Sequence, residues 1–224
     1  MEERLQSLLK TVIEEYVATA LPVGSQYLVS RYHLDVSSAT IRHWFVELEQ
    51  EGFLTQPHTS GGRIPTEAGF RFYVEAFVQP KPSSKRDREL LQKAATVPKE
   101  DGRRLKNVAK ALADLSGQAT VVGLNEADTF YTGLSQLFTQ PEFHNWQQVV
   151  SLTEILDRLD ETLQNLRKQS FPEPKILLGN DCPFGPGCGV ILASVNRGLI
   201  GILGPLRMDY QLGFSLIHSA LQEL

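Results

Sequence analysis

Apolar residues recur at helical spacing in successive stretches at the start of the chain. The first stretch predicts an amphipathic helix, with its apolar positions at Leu5, Leu8, Leu9, Val12, Ile13, Tyr16 and Val17. The sequence Leu-Pro-Val-Gly at positions 21–24 breaks this pattern, because proline and glycine interrupt helices. Ser25 then offers a side-chain cap for a second, short helix over residues 26–32.

A third helix is predicted after a connection of four residues. Its apolar stripe consists of positions spaced i, i+4 and i+7: Ile41, Phe45 and Leu48. Ser37 or Ser38 can cap its start, and Gly52 can end it in the left-handed conformation. Polar side chains fall mostly off the stripe, at Thr40, Arg42, His43 and Glu47.

A turn-rich segment with short flanking strands follows this helix. Residues 53–55 and 63–64 are predicted as the strands, and residues 57–62, Pro-His-Thr-Ser-Gly-Gly, suit a hairpin tip. Two short helices joined by a tight turn and followed by such a hairpin are typical of a winged helix-turn-helix, which presents its last helix to DNA.

The edge of the third helix and the hairpin supply the candidate DNA contacts. On the helix they are Ser37, Ser38, Thr40, Arg42 and His43, and on the hairpin they are His58, Thr59, Ser60 and Arg63. Their hydroxyl, imidazole and guanidinium groups are donors that reach base edges and phosphates. Many three-helix domains serve as protein-binding modules instead, and that alternative stays open.

From Gln79 the composition changes. Residues 79–88 are rich in proline and charge and predict a linker between an N-terminal domain, residues 1–78, and a second domain, residues 89–224. In the second domain the pattern predicts helices over residues 88–95, 103–116, 146–166 and 208–221, and strands over residues 120–124, 175–178, 189–195 and 199–203. The fold class is therefore α+β.

Charge argues weakly against a nucleic-acid partner. The whole chain carries −4, and residues 1–88 hold 10 Lys and Arg against 11 Asp and Glu, a net charge of −1. Since phosphate neutralisation supplies much of DNA affinity, the positive groups must be clustered by folding. We therefore expect a homodimer, which doubles the contacts by reading two half-sites. Its surface is expected on the helices over residues 146–166 or 208–221, with the aromatic-rich helix 66–78 as a second candidate.

Other functional classes find little support. A membrane-spanning run of about 18 apolar residues and an export signal are both missing, which predicts a soluble, cytoplasmic protein. Cys182 and Cys188 lack a second ligand pair at zinc spacing and are expected to be free thiols. The five histidines are scattered, and no nucleophile is paired with a base. We expect neither an enzyme nor a cofactor.

Several blocks of residues resemble the HrcA family, the bacterial repressors of heat-shock chaperone operons. The most specific is Gln-Pro-His-Thr-Ser-Gly-Gly-Arg-Ile-Pro-Thr at residues 56–66, followed by Gly-Phe-Arg-Phe-Tyr-Val at 69–74. Residues 134–143 and 200–210 resemble later blocks of the family. The resemblance implies a winged helix-turn-helix followed by a GAF-like effector and dimerisation domain, and repression through an inverted-repeat DNA operator.

The chain departs from the family in two places. His43-Trp44-Phe45 stands where the family usually has Asn-Asp-Met, so base readout must differ. An exposed indole there would favour a protein-interaction module that lost operator binding, whereas we expect Trp44 to be partly buried against the wing. Only residues 125–130 replace a long strand-rich stretch, which predicts a reduced sheet of three to four strands and leaves contacts with the chaperonin open.

Overall fold

The computed structural model describes residues 1–57, 61–97, 103–124, 128–144, 157–195 and 198–224. The chain divides into two compact units, an N-terminal unit, Met1–Phe77, and a C-terminal unit, Val78–Leu224. Each unit has its own buried apolar core.

The N-terminal unit contains the predicted helices and hairpin. Its elements are α1 (Glu3–Thr19), α2 (Ser25–Tyr32), α3 (Ser38–Gln50), β1 (Leu54–Thr55), β2 (Ile64–Pro65) and α4 (Glu67–Phe77). The apolar stripes of the three helices meet in one core, where Leu9, Ile13, Leu28, Ile41 and Leu48 are fully buried. Burial of these stripes, at about 25 cal/mol for each Å² of apolar surface, holds the helices together.

The caps observed at the ends of α2 and α3 can be compared with those predicted from the sequence. The amide of Thr40 donates to the Ser37 hydroxyl at 3.1 Å, so Ser37 caps α3 as expected. Gly52 adopts a φ of +80° after α3, which confirms its predicted role as a stop. The prediction for Ser25 was wrong, since α2 already begins at this residue and Gly24 is the N-cap, without a side-chain bond.

The wing is a hairpin with an additional partner. β1 and β2 pair antiparallel, with Leu54 opposite Pro65. Arg63, just before β2, also forms an antiparallel bridge with Val23 in the turn between α1 and α2. Gly62 permits this approach, because a Cβ atom there would lie 2.5 Å from the carbonyl carbon and oxygen of Val23. The wing is thereby joined to the helix-turn-helix.

The C-terminal unit is α+β. Its helices are α5 (Lys85–Ala94), α6 (Arg103–Ser116), α7 (Leu134–Phe138), α8 (Leu159–Arg167) and α9 (Tyr210–Glu223). Its strands are β3 (Ala119–Gly123), β4 (Thr129–Thr132), β5 (Lys175–Leu178), β6 (Cys188–Val195) and β7 (Gly198–Pro205). Part of the predicted helix over residues 146–166 lies outside the described residues.

These strands form one antiparallel sheet in the order β4-β3-β7-β6-β5. Helices α7 and α8 pack on one face, over a core that includes Val121, Leu192 and Phe184, while α6 and α9 cover the other face. Numbered within the unit, the strand order is 2-1-5-4-3, which is the arrangement of a GAF-like domain.

The expectation of three to four strands was wrong. Within the described residues the sheet has five, because Thr129–Thr132, Thr-Phe-Tyr-Thr, pairs with β3. Its β-branched and aromatic residues suit a pleated surface, and it occupies an edge of β3 that would otherwise be open. The larger sheet, with α5 and α6, also covers most of α9, whose buried residues include Leu216 and Ile217. Leu212, Phe214 and Leu221 of this helix are half-buried, and the dimer surface expected there stays a prediction.

The predicted linker is ordered by α9 and α5. Gln79 forms two hydrogen bonds with the side chain of Gln211, at 3.1 and 2.9 Å, and the Ser83 hydroxyl lies 2.9 Å from that of Ser219. Residues 85–88, placed in the linker by sequence, form the first turn of α5. Ser84 caps this turn by accepting from the amide of Asp87 at 3.1 Å.

Candidate nucleic-acid interface

The outward edge of α3 gathers most of the predicted helix contacts. Ser37, Arg42 and His43 are exposed, while Ser38 and Thr40 are half-buried. The Ser37 hydroxyl caps the helix and lies 3.0 Å from the Thr40 hydroxyl, so both hydroxyl groups have partners within the protein. Arg42 and His43 therefore present the larger exposed donors of this edge.

His43 and Arg42 differ in their local partners. The Nε2 atom of His43 lies 3.1 Å from a carboxylate oxygen of Glu47, although 75% of the His43 side chain is exposed. Glu47 also lies 3.7 Å from the guanidinium of Arg4. Among the residues that the structure describes, Arg42 makes no ion pair, so its guanidinium is available to a ligand.

A groove lies beside this edge and reaches the wing. It encloses about 580 Å³ and is lined by the start of α2 (Gly24, Ser25, Gln26), by α3 (Arg42, Phe45, Val46) and by the wing (Gln56, Gly61, Gly62, Arg63). Sequence reasoning missed Gln26, Val46 and Gln56 as candidate contacts. For Val46 a signal existed, because it follows Arg42 by one helical turn and is 42% exposed.

Arg63 is the one predicted wing contact within the described residues, and its side chain is engaged with α3. Its guanidinium lies 2.9 Å from a carboxylate oxygen of Glu49 and 5.8 Å from the ring centre of Phe45, and only 15% of the side chain is exposed. It therefore points toward α3. The other predicted wing contacts, His58, Thr59 and Ser60, lie outside the described residues.

These ion pairs change the electrostatics of the reading edge. Glu47 pairs with His43 and Arg4, and Glu49 pairs with Arg63. The carboxylates of Glu47 and Glu49 are thus each close to an arginine, Arg4 and Arg63, which offsets their repulsion of phosphate locally and leaves the net charge of residues 1–88 at −1.

Trp44 is half-buried, as predicted. We expected the wing to cover it, but the cation over its ring comes from α1, with the Arg4 guanidinium 5.6 Å from the ring centre. The neighbouring Phe45 is 2% exposed and belongs to the core. The substituted segment His43-Trp44-Phe45 therefore leaves only His43 strongly exposed.

A buried carboxylate fixes α2 against α1. Glu15 accepts hydrogen bonds from the hydroxyl groups of Tyr32 at 2.6 Å and Tyr27 at 2.8 Å. The bond from Tyr32, supported by Tyr27 and by the nearby charge of Arg31, holds the pKa of Glu15 below its usual value despite burial. The same bond raises the pKa of Tyr32 to about 12.

The described part of the chain was also compared with the expectations for metal ligands and for the two cysteines. No group of three His, Cys, Asp or Glu residues there is arranged to hold a metal ion. Cys182 and Cys188 are free and buried, and desolvation raises their pKa values to about 12 and about 11. Thiols with such values remain protonated and weakly nucleophilic at neutral pH. No described helix is long and apolar enough to cross a membrane.

Comparison with known proteins places the chain in a family. The family model for the C-terminal domain of HrcA matches residues 74–212, more than half of the chain. The chain belongs to the HrcA family. This confirms the resemblance seen in the sequence blocks.

Curated HrcA relatives match shorter stretches. The heat-inducible transcription repressor HrcA of Chloroflexus aurantiacus is 58% identical over 79 residues, covering 35% of this chain and 21% of the relative. The protein of the same name from Syntrophobacter fumaroxidans is 42% identical over 123 residues, covering 54% of this chain and 35% of the relative. The matched stretches thus span about a third or less of these relatives' length.

The fold of the whole chain has a solved counterpart. A crystal structure of a hypothetical protein at 2.2 Å resolution superposes with a TM-score of 0.80 and 16% identity, covering 99% of this chain and 97% of the other. At this identity the likeness shows the fold, an N-terminal winged helix-turn-helix followed by a GAF-like α+β unit.

Proposed function

We propose that this HrcA family member is a cytoplasmic transcriptional repressor that binds an inverted-repeat DNA operator as a homodimer. The observation that carries the proposal is the edge of α3 that bears Arg42 and His43, set beside a groove that ends at the wing. A helix edge and a wing that border one groove are the two parts with which a winged helix-turn-helix grips a duplex. The names of the curated relatives support the repressor role.

The proposal gives the side chains of α3 and those of the wing different roles in binding DNA. In the proposal, Arg42 reads a base edge, with Ser38, Thr40 and His43 beside it, because guanidinium forks match guanine O6 and N7. Ser37 keeps the start of α3 in place, and His58, Thr59 and Ser60 at the wing tip contact the flanking backbone or minor groove. Val46 adds an exposed apolar group of the kind that contacts a thymine methyl.

The protein-interaction alternative needed an exposed indole on α3. Trp44 is half-buried beneath Arg4 and Phe45 is fully buried, so this face exposes less aromatic surface than that alternative expects. We therefore favour DNA over a protein groove as the ligand of this face.

The test is salt-dependent binding of the full chain to duplex DNA carrying the inverted repeats found upstream of chaperone operons. Arg42→Ala should cost about 1–3 kcal/mol of discrimination between the preferred operator and a site changed at one base pair. Lys110→Ala, which removes an equal charge from an exposed position on α6 and does not line the groove, is the matched control and should keep that discrimination. An absence of salt-sensitive duplex binding at micromolar protein would refute the proposal.

A homodimer supplies a second DNA-binding unit, which reads the second half-site of the operator. One winged helix with no positive excess buries too little groove surface for tight specific binding, and a two-fold dimer mirrors an inverted repeat. Of the surfaces predicted from sequence, we favour α4, where Phe72 and Phe77 remain half-buried and stack edge to face at 6.1 Å. In solution the dimer is expected at twice the monomer mass of 25.0 kDa.

A further inference from the structure

Arg63 connects three separate elements of the N-terminal unit. Its backbone bonds with Val23 in both directions, at 2.8 Å from the Val23 amide and at 2.9 Å to the Val23 carbonyl. Its side chain reaches α3, where it pairs with Glu49 at 2.9 Å and lies over Phe45. The turn between α1 and α2, the wing and α3 are therefore joined through one residue.

The guanidinium has limited capacity for a further ligand. One terminal nitrogen pairs with Glu49, and the Nε atom is buried with no partner in the described part of the chain. With 15% of the side chain exposed, most of the group is turned away from solvent and toward α3. An arginine that serves mainly as a phosphate ligand would present its donors outward, as Arg42 does.

The geometry of these contacts suits arginine better than lysine. A planar guanidinium can lie over an aromatic ring while donating in its own plane to a carboxylate, whereas a lysine ammonium is a point charge that cannot do both. Since the pair with Glu49 is largely shielded from solvent, salt screens it less than a surface pair. The contact therefore persists under the ionic conditions in which DNA is bound.

We propose that Arg63 is a positioning residue, which holds the wing at a fixed angle to α3 so that wing and reading edge meet the duplex together. The inference rests on the proposed function, because positioning matters only if α3 and the wing share a ligand. It adds a residue that acts through Glu49 and Phe45 and does not itself grip the phosphate.

One substitution distinguishes the two roles of Arg63 by whether duplex affinity rises or falls. Glu49→Gln keeps the shape of the side chain but removes the charge that holds Arg63. If Arg63 is a phosphate ligand, this change frees it and removes a negative charge, so duplex affinity should stay the same or rise. If Arg63 is a positioning residue, affinity should fall about tenfold, the effect of losing a bond between charged groups.

Two further variants complete the design. Glu51→Gln removes an exposed negative charge at the C-cap of α3, two residues after Glu49. This control should leave duplex affinity unchanged or slightly raised. Arg63→Lys keeps the positive charge and loses the planar stack, so it should weaken binding as Glu49→Gln does, without lowering the salt slope by the ~0.9 expected for a lost phosphate contact. Combining it with Glu49→Gln should add little, because both changes disrupt one contact.

Amide hydrogen exchange without DNA separates this inference from the proposed function. In the free protein, Glu49→Gln should speed exchange at the amides of Val23 and Arg63, while Glu51→Gln should not. Unchanged exchange, or equal or tighter duplex binding by Glu49→Gln, would overturn the positioning role. If the wild-type chain fails to bind any duplex, the proposed function fails with the role that depends on it, and the exchange data still decide whether Arg63 holds the wing.

Discussion

A methyl group added at Gly62 tests whether the wing depends on its close approach to the helix-turn-helix. In Gly62→Ala the new Cβ would lie 2.5 Å from both the carbonyl carbon and the oxygen of Val23, and 2.8 Å from the carbonyl carbon of Pro22. All three neighbours are backbone atoms, which cannot rotate away as a side chain would. Since carbon atoms prefer a separation of about 3.5–4.0 Å, the two segments must move apart by about 1 Å.

The loss of folding free energy in Gly62→Ala can be estimated for two cases, in which the bridge between Val23 and Arg63 either holds or opens. If the bridge between Val23 and Arg63 holds, the strain resembles overpacking of a core, at about 1–3 kcal/mol. If the bridge opens, two backbone hydrogen bonds are lost, at about 0.5–1.5 kcal/mol each. Both routes give about 2 kcal/mol, which corresponds to a urea midpoint lower by about 1–2 M for a small unit.

Urea unfolding of the full chain, followed by indole fluorescence, measures this loss. Trp146→Phe leaves Trp44 as the one indole, so that the signal reports on the N-terminal unit. Gly24→Ala is the matched control, because a Cβ there meets nothing within 4 Å. Gly24 is the N-cap of α2, where alanine caps less well than glycine. The loss of stability in Gly24→Ala should therefore stay under about 1 kcal/mol. Midpoints for Gly62→Ala and Gly24→Ala that agree within about 0.2 M would refute the steric reasoning.

Four further outcomes are expected. The folded-state pKa of Glu15 lies below its ordinary value of 4.5, so its contribution to stability is complete above that pH and is lost as pH falls below it. Glu15→Gln should flatten this acid-side decline in urea midpoints. For Tyr32, whose pKa is raised from 10.0 to about 12, stability should be lost as pH rises through that interval, and Tyr32→Phe should remove the loss. Gln211→Ala should speed amide exchange at Gln79, whereas the exposed Gln222→Ala on the same helix should not. Light scattering at tens of micromolar should report about 50 kDa, twice the monomer mass of 25.0 kDa, and a monomer with and without operator DNA would contradict the dimer.

Local signals in the sequence predicted the N-terminal unit well. The spacing of Ile41, Phe45 and Leu48 identified α3 and its buried face, and the cap at Ser37 and the stop at Gly52 follow from backbone chemistry within a few residues. The exposure of Arg42 and His43 followed from the same periodicity. These features depend on neighbours in sequence, which periodicity can capture.

Features that depend on distant partners could not be predicted. The pairing of Arg63 with Glu49 joins the wing to α3, and its bridge to Val23 joins residues 40 positions apart. Strand β4 was missed because four residues carry too little periodicity to stand out, and its partner β3 decides its structure. The order of residues 79–83 likewise depends on Gln211 and Ser219, more than 130 positions away.

The buried cysteines make the native chain suitable for site-specific labelling. With pKa values of about 12 and about 11, Cys182 and Cys188 have thiolate fractions of about 10⁻⁵ and 10⁻⁴ at pH 7, against about 3% for an unperturbed thiol. Since the thiolate is the species that attacks a maleimide, an exposed cysteine introduced on α3 by Gln50→Cys would react about a hundredfold or more faster. A single fluorophore could then be attached beside the reading edge without first removing the two native cysteines.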